Sequence, residues 1–129
     1  MTMISGLAVL VVEDEFLVAL DAESMIRTLG AASIEVVGTF EDAERRLTEG
    51  TYDLVLLDVN LNGQMSFPLG RIAQSRGIPV VFATGYTPHT RSLADFESGV
   101  RLAKSYTPES LTVALMAALE AKAASPVTG

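Results

Sequence analysis

The sequence contains no cysteine, which removes both a disulfide frame and any thiolate metal site and fits a reducing compartment. Basic residues are scarce. Nine lysines and arginines face 16 aspartates and glutamates, for a formal net charge of −7. That balance excludes the basic footprint of non-specific nucleic-acid binding and suits a chain that collects a cation. His89 is the only histidine; alone it is poor support for a metal or a base, and it reads as an exposed loop residue. No apolar run is long enough to span a bilayer. The opening MTMISGLAVLVVEDE lacks a basic segment, and acids cut its apolar run short, so no secretory leader is expected. These absences point to a cytoplasmic protein with no membrane or direct nucleic-acid partner. The 129 residues suit a single domain spanning 1–129, with its core at about 6–124 and a frayed tail at 125–129.

What is present is apolar and ordered. Nearly half the residues are hydrophobic (49%), enough to bury a core. Four runs are dense in β-branched or apolar residues: LAVLVV (7–12), IEVVG (34–38), DLVLLDV (53–59) and IPVVFA (78–83), with a weaker fifth, VRLA (100–103). Runs apolar on both faces belong in a central parallel strand covered by helices on either side.

Helical patterns alternate with these runs. Val18, Ala22, Met25, Ile26 and Leu29 recur at spacings of three and four, and Gly30 stands where a left-handed C-cap belongs. Thr39 can cap a helix bearing Phe40, Ala43 and Leu47, with Glu41 and Asp42 in its positive first turn and Gly50 at its close. A third helix is expected from about Ser66 to Arg76, interrupted by Pro68 and Gly70. Residues 87–99 have room for only a short helix. Thr107 precedes Pro108, a favoured first helical residue, and Leu111, Ala114, Leu115 and Ala118 form one apolar face. Strands alternating with helices read as an open α/β sheet, whose functional crevice lies at the carboxyl ends of its strands.

The strand ends collect the chemistry. The first run ends in Glu13 and Asp14, the third at Asp58, the fourth at Thr84 and the fifth at Lys104. Two carboxylates about 4 Å apart repel by about 4 kcal/mol at an effective dielectric near 20. Such a cluster holds a proton or recruits a cation, and oxygen-only ligands suit Mg2+. A divalent ion and the Lys104 ammonium would neutralise an incoming phosphoryl group. The Thr84 hydroxyl could donate to it, and Asp58 would be free to act as a carboxylate nucleophile.

From VVEDE through LLDVN and FATG to LAKS, the chain resembles a response-regulator receiver domain of two-component signalling. The resemblance implies a flavodoxin-like doubly wound five-stranded parallel sheet, order 2-1-3-4-5, with helices on both faces. It implies that Glu13, Asp14, Asp58 and the backbone carbonyl of Asn60 hold Mg2+, that Asp58 takes the phosphoryl group, and that Thr84 and Lys104 contact it. It implies a sensor histidine kinase or phosphotransfer protein as donor, so the chain is not an enzyme in its own right. With no DNA-binding domain in the sequence, a stand-alone receiver is expected to act on a protein partner or as a phosphate sink. Its moving surface, and the face a homodimer would use, is expected at the fourth helix, fifth strand and fifth helix. FATGY (82–86) resembles a receiver subgroup lacking the switch aromatic.

Two positions depart from the pattern. Arg101 stands where receivers carry an aromatic switch residue, and Ser105 follows the lysine in place of proline. A cis peptide before a non-proline residue costs about 2.5–4 kcal/mol, so a trans Lys104–Ser105 bond and a displaced lysine are expected. Tyr86 or Tyr106 could replace the aromatic, or simply pack; Asn60 and Tyr86 are expected to tune phosphate lifetime. Glu15 reads as a solvated residue of the first helical turn. The competing readings are a receiver-like interaction module that is never phosphorylated, and an aspartyl phosphatase. The second would want an acid where Asn60 stands.

Overall fold

The computed structural model describes residues 4–85 and 99–124. The short helix expected at 87–99, Tyr86, His89 and the tail 125–129 fall largely or wholly outside these residues. Five strands, β1 (Ala8–Val12), β2 (Ser33–Val37), β3 (Leu54–Asp58), β6 (Val80–Gly85) and β7 (Val100–Lys104), form one parallel sheet in the order β2-β1-β3-β6-β7. This is the expected 2-1-3-4-5 order. Two short strands not expected from the sequence, β4 (Asn60–Leu61) and β5 (Gln64–Met65), make an antiparallel ribbon.

The sheet is parallel because its central strands have no polar face to offer water. In β1, Leu10 and Val12 enter one core while Val9 and Val11 enter the other. In β3, Val55 and Leu57 divide from Leu54 and Leu56 in the same way. Helices α2 (Phe40–Glu49) and α3 (Phe67–Ser75) cover the first face through Ala43, Leu47, Leu69 and Ala73. Helices α1 (Phe16–Thr28) and α4 (Pro108–Ala124) cover the second through Ala22, Ile26, Leu111, Ala114, Leu115 and Ala118. Ile4, ahead of the expected start of the core, is fully buried in this second layer.

The helix boundaries follow local chemistry. Gly30 has φ +98° just past α1, a conformation that costs glycine little. Thr39 accepts from the Asp42 N–H at 3.1 Å at the start of α2. At α4, Thr107 Oγ1 accepts from Ser110 N–H (3.1 Å) and Ser110 Oγ accepts from Thr107 N–H (2.9 Å), closing two free donors reciprocally. Pro68 opens α3 without breaking it, because a first-turn N–H has no helical partner to lose.

The chain runs outward from β1 to β2, then returns past β1 to β3. The strand order therefore reverses between β1 and β3, and the crevice opens at their carboxyl ends. Glu13, Asp14 and Asp58 stand at that edge.

Candidate functional site

Each acid is fixed by a different element. Beyond β1, Glu13 N–H donates to Val37 O at 3.0 Å, extending the pairing with β2 by one residue. Glu13 is 5% exposed; its Oε2 accepts from Glu15 N–H at 3.1 Å, and its Oε1 pairs with Lys104 Nζ at 2.8 Å. Asp58, also 5% exposed, accepts from Asn60 N–H at 3.1 Å on Oδ1 and from Lys104 Nζ at 3.0 Å on Oδ2. Asp14 is half-buried, and its Oδ2 accepts from Asn62 N–H at 3.0 Å. One carboxylate oxygen from each of Glu13, Asp14 and Asp58 lies within 4.8 Å of the others.

Buried carboxylates are tolerated only when paired, and Lys104 pairs with two of them at once. Three carboxylates against one ammonium leave two negative charges uncompensated when all are ionised. That is the charge of one divalent cation. The donors are all hard oxygens, so these residues fit Mg2+.

Titration follows the same geometry. Burial pushes the Glu13 carboxyl up to about 7, with neighbouring Asp58 adding to the shift and Lys104 and the Glu15 N–H opposing it. For Asp14, burial acts upward, but the contact with Glu13 and the Asn62 N–H outweigh it and hold the carboxyl below its ordinary value. Burial opposes the Lys104 charge, yet Glu13 and Asp58 outweigh it and raise the ammonium above its usual range. Burial, then the Glu13 charge, pushes the Tyr106 phenol up to about 12, so it stays neutral at physiological pH.

A pH dependence follows. A carboxyl raised on folding binds more protons folded than unfolded, so stability falls as pH rises. Without divalent cation, Glu13 should contribute most below its ordinary value of 4.5 and lose that contribution as pH climbs to about 7. The loss is at most about 1.4 kcal/mol per pH unit. Urea unfolding of wild type and Glu13→Gln across this range measures it: the gap between the two curves should change between pH 4.5 and 7, and Mg2+ should flatten it. A gap independent of pH would contradict the assignment.

The structure places the sequence-derived candidates unevenly. Glu13, Asp14, Asp58 and Lys104 come together as described. Thr84 lies one residue beyond Ala83, the register partner of Asp58, and its hydroxyl donates to Gly85 O at 3.3 Å. Asn60 is exposed; its N–H donates to Asp58 Oδ1 and its side-chain Oδ1 accepts from Gly63 N–H at 2.6 Å. Glu15 is exposed but sits at the N-cap of α1, ahead of the first turn, with no side-chain capping bond. The Lys104–Ser105 peptide is cis, which corrects the expected trans bond, and the lysine is not displaced, since Nζ reaches both carboxylates. The trans expectation follows from local backbone preference alone.

Two residues were missed. Ser66 is fully buried, and its Oγ donates to Asp58 O at 2.5 Å, tying the start of α3 to the end of β3; no sequence signal marks it. Asn62 was legible: Asn-Gly between residues that can pair is a strong hairpin signal, and Asn62 and Gly63 have φ +51° and +87°.

A family model described as the response regulator receiver domain matches residues 9–116. Among solved structures, SdrG from Sphingomonas melonis Fr1 is 33% identical, with 93% of this chain and 99% of that chain covered and a TM-score of 0.76. A CheY-like receiver domain protein from Methanospirillum hungatei JF-1 is 19% identical, with 92% and 98% covered and a TM-score of 0.79. The receiver domain of sensor histidine kinase PA1611 from Pseudomonas aeruginosa PAO1, with magnesium in its active-site cleft, is 23% identical, with 90% and 99% covered and a TM-score of 0.76. The last two likenesses concern the fold alone. No curated protein matches the sequence.

Proposed function

The chain belongs to the response regulator receiver domain family, and from that premise we propose that it accepts a phosphoryl group on Asp58 from the phosphohistidine of a sensor kinase or phosphotransfer protein. The observation that carries this reading is the Asp58 carboxylate held between Lys104 Nζ and the Asn60 N–H, beside Glu13 and Asp14. An Asp58 oxygen attacks phosphorus in line. The new O–P bond forms as the P–N bond breaks, and its electron pair returns to the imidazole. Glu13, Asp14, Asp58 and the Asn60 carbonyl would hold Mg2+, as the PA1611 receiver holds magnesium in its cleft; the ion supplies positive charge against the phosphoryl oxygens. Lys104 supplies a point charge and Thr84 a hydroxyl donor. Hydrolysis of the acyl phosphate resets the protein.

The donor has to seat on the crevice rim, because Asp58 is 5% exposed. Immediately after Glu13, Asp14 and Glu15, α1 presents Phe16 and Leu17, each 74% exposed, and Leu20. Large apolar side chains exposed together mark a contact surface, and we assign this one to the phosphodonor protein. Leu17→Glu should slow transfer from a phosphohistidine protein about tenfold more than transfer from acetyl phosphate, a difference of about 1.4 kcal/mol. Equal slowing with both donors would remove the assignment. Signal output is to a protein partner, in keeping with the net charge of −7. Among the described residues no helix is long and apolar enough to cross a membrane, and we place the protein in the cytoplasm with its donor.

The reading is tested by incubating the protein with acetyl phosphate and Mg2+ and recording intact mass. Gain of one phosphoryl group that base or hydroxylamine removes, as expected of an acyl phosphate, supports it. No gain, together with unchanged NMR spectra on adding beryllofluoride and Mg2+, would favour a receiver-like interaction module instead.

A further inference from the structure

The ribbon β4–β5 enters the reading above only through the backbone of Asn60, yet it is braced against both aspartates. Asn60 N–H donates to Asp58 Oδ1, and two residues later Asn62 N–H crosses to Asp14 Oδ2. The turn between its strands is closed by Gly63 N–H on Asn60 Oδ1 at 2.6 Å, and the strands pair Asn60 with Met65 and Leu61 with Gln64. Its base is anchored: Val59 and Leu61 are buried, Ser66 N–H donates to Val59 O at 2.8 Å, and Ser66 Oγ donates to Asp58 O. The result is a short hydrogen-bonded arm whose tip reaches Asp14, just past the end of β1.

We propose that Asn62 is a positioning residue for the cation site, its left-handed backbone aiming the N–H at Asp14 Oδ2 so that the other carboxylate oxygen is presented to the metal. This rests on the receiver reading and extends it. Glu13 and Asp58 are oriented by the Lys104 ammonium, whereas Asp14 is oriented across the crevice by the ribbon. A hydrogen bond to a carboxylate ligand fixes its rotation, and losing such an outer partner typically weakens metal binding roughly 10-fold to 100-fold. The contact is made by backbone, so residue 62 matters through its φ of +51° and not through its amide group. Asparagine and glycine adopt that region readily; a β-branched residue does not.

The test is Mg2+ titration of wild type, Asn62→Val and Asn62→Gly, followed by calorimetry or by amide shifts in NMR spectra. Asn62→Val should bind Mg2+ about tenfold or more weakly than wild type, and Asn62→Gly within about twofold of it. Melting temperatures in EDTA report whether each variant folds; should Asn62→Val not fold, Asn62→Ala makes a milder form of the same change and should fall between the two. Wild-type affinity in Asn62→Val, or equal weakening in both variants, overturns the proposal. A wild-type protein that binds no Mg2+ would instead sink the receiver reading, so the two failures are distinguishable.

Discussion

Asp58→Asn should abolish phosphoryl acceptance from any donor while leaving the fold intact. An amide oxygen is a far weaker nucleophile than a carboxylate and cannot form an acyl phosphate. Glu13 and Asp14 lie within 4.8 Å but cannot substitute on geometric grounds. Glu13 is turned to Lys104 and the Glu15 N–H, and Asp14 is held by Asn62. Intact mass after acetyl phosphate and Mg2+ should therefore show the phosphoryl adduct on wild type and none on the variant. The variant should also unfold at no lower urea concentration than wild type at pH 8 without Mg2+. It removes one of two buried acids that share Lys104, and an amide tolerates burial better than a second carboxylate. An adduct persisting on Asp58→Asn would place the acceptor elsewhere.

The second large effect is expected at Lys104. Its ammonium is the partner of two carboxylates, each about one-twentieth exposed. Removing one member of a buried charge set leaves the others uncompensated, at a cost of about 3–5 kcal/mol. Lys104→Met keeps most of the side-chain length and deletes only the charge. It should destabilise the protein more at pH 8 in EDTA than at lower pH, because the Glu13 charge loses its partner. The effect should shrink toward pH 5 as Glu13 takes up a proton, since burial raises its carboxyl and the loss of Lys104 removes a contact that holds it down. Mg2+ should restore part of the loss by replacing the missing positive charge. Urea unfolding at pH 8 and pH 5, with and without Mg2+, measures all of this; equal stability of variant and wild type at pH 8 in EDTA would show that the ion pairs carry no weight. Phosphorylation by acetyl phosphate should slow as well, since Lys104 no longer offsets the phosphoryl charge.

Both experiments turn on side chains whose identities were legible from the chain alone. Glu13, Asp14, Asp58 and Lys104 each follow an apolar run, and a run apolar on both faces has few homes other than a central parallel strand. Once those runs are strands, the residues after them share one edge. The cis Lys104–Ser105 peptide and the bond of Asn60 Oδ1 to Gly63 were not legible. Local backbone preference favours trans before a serine. The Asn60–Gly63 bond depends on a ribbon whose Asn-Gly turn was visible but whose strands are two residues each, too short for periodicity to mark. The exposure of Phe16 and Leu17 was equally hidden. The α1 pattern of Val18, Ala22, Met25, Ile26 and Leu29 says which face turns inward, not that further large apolar residues remain outside.

The sequence by itself determined the order of the five main strands, the parallel sheet and the acidic, cysteine-free set of residues at its rim, because these follow from hydrophobic periodicity and residue chemistry acting over a few positions. Only the tertiary structure decided how those residues meet. Lys104 reaches Asp58 across 46 positions and Asn62 reaches Asp14 across 48. Contacts between residues so far apart depend on strand order and register, which bring side chains within bonding distance only once the whole sheet has assembled.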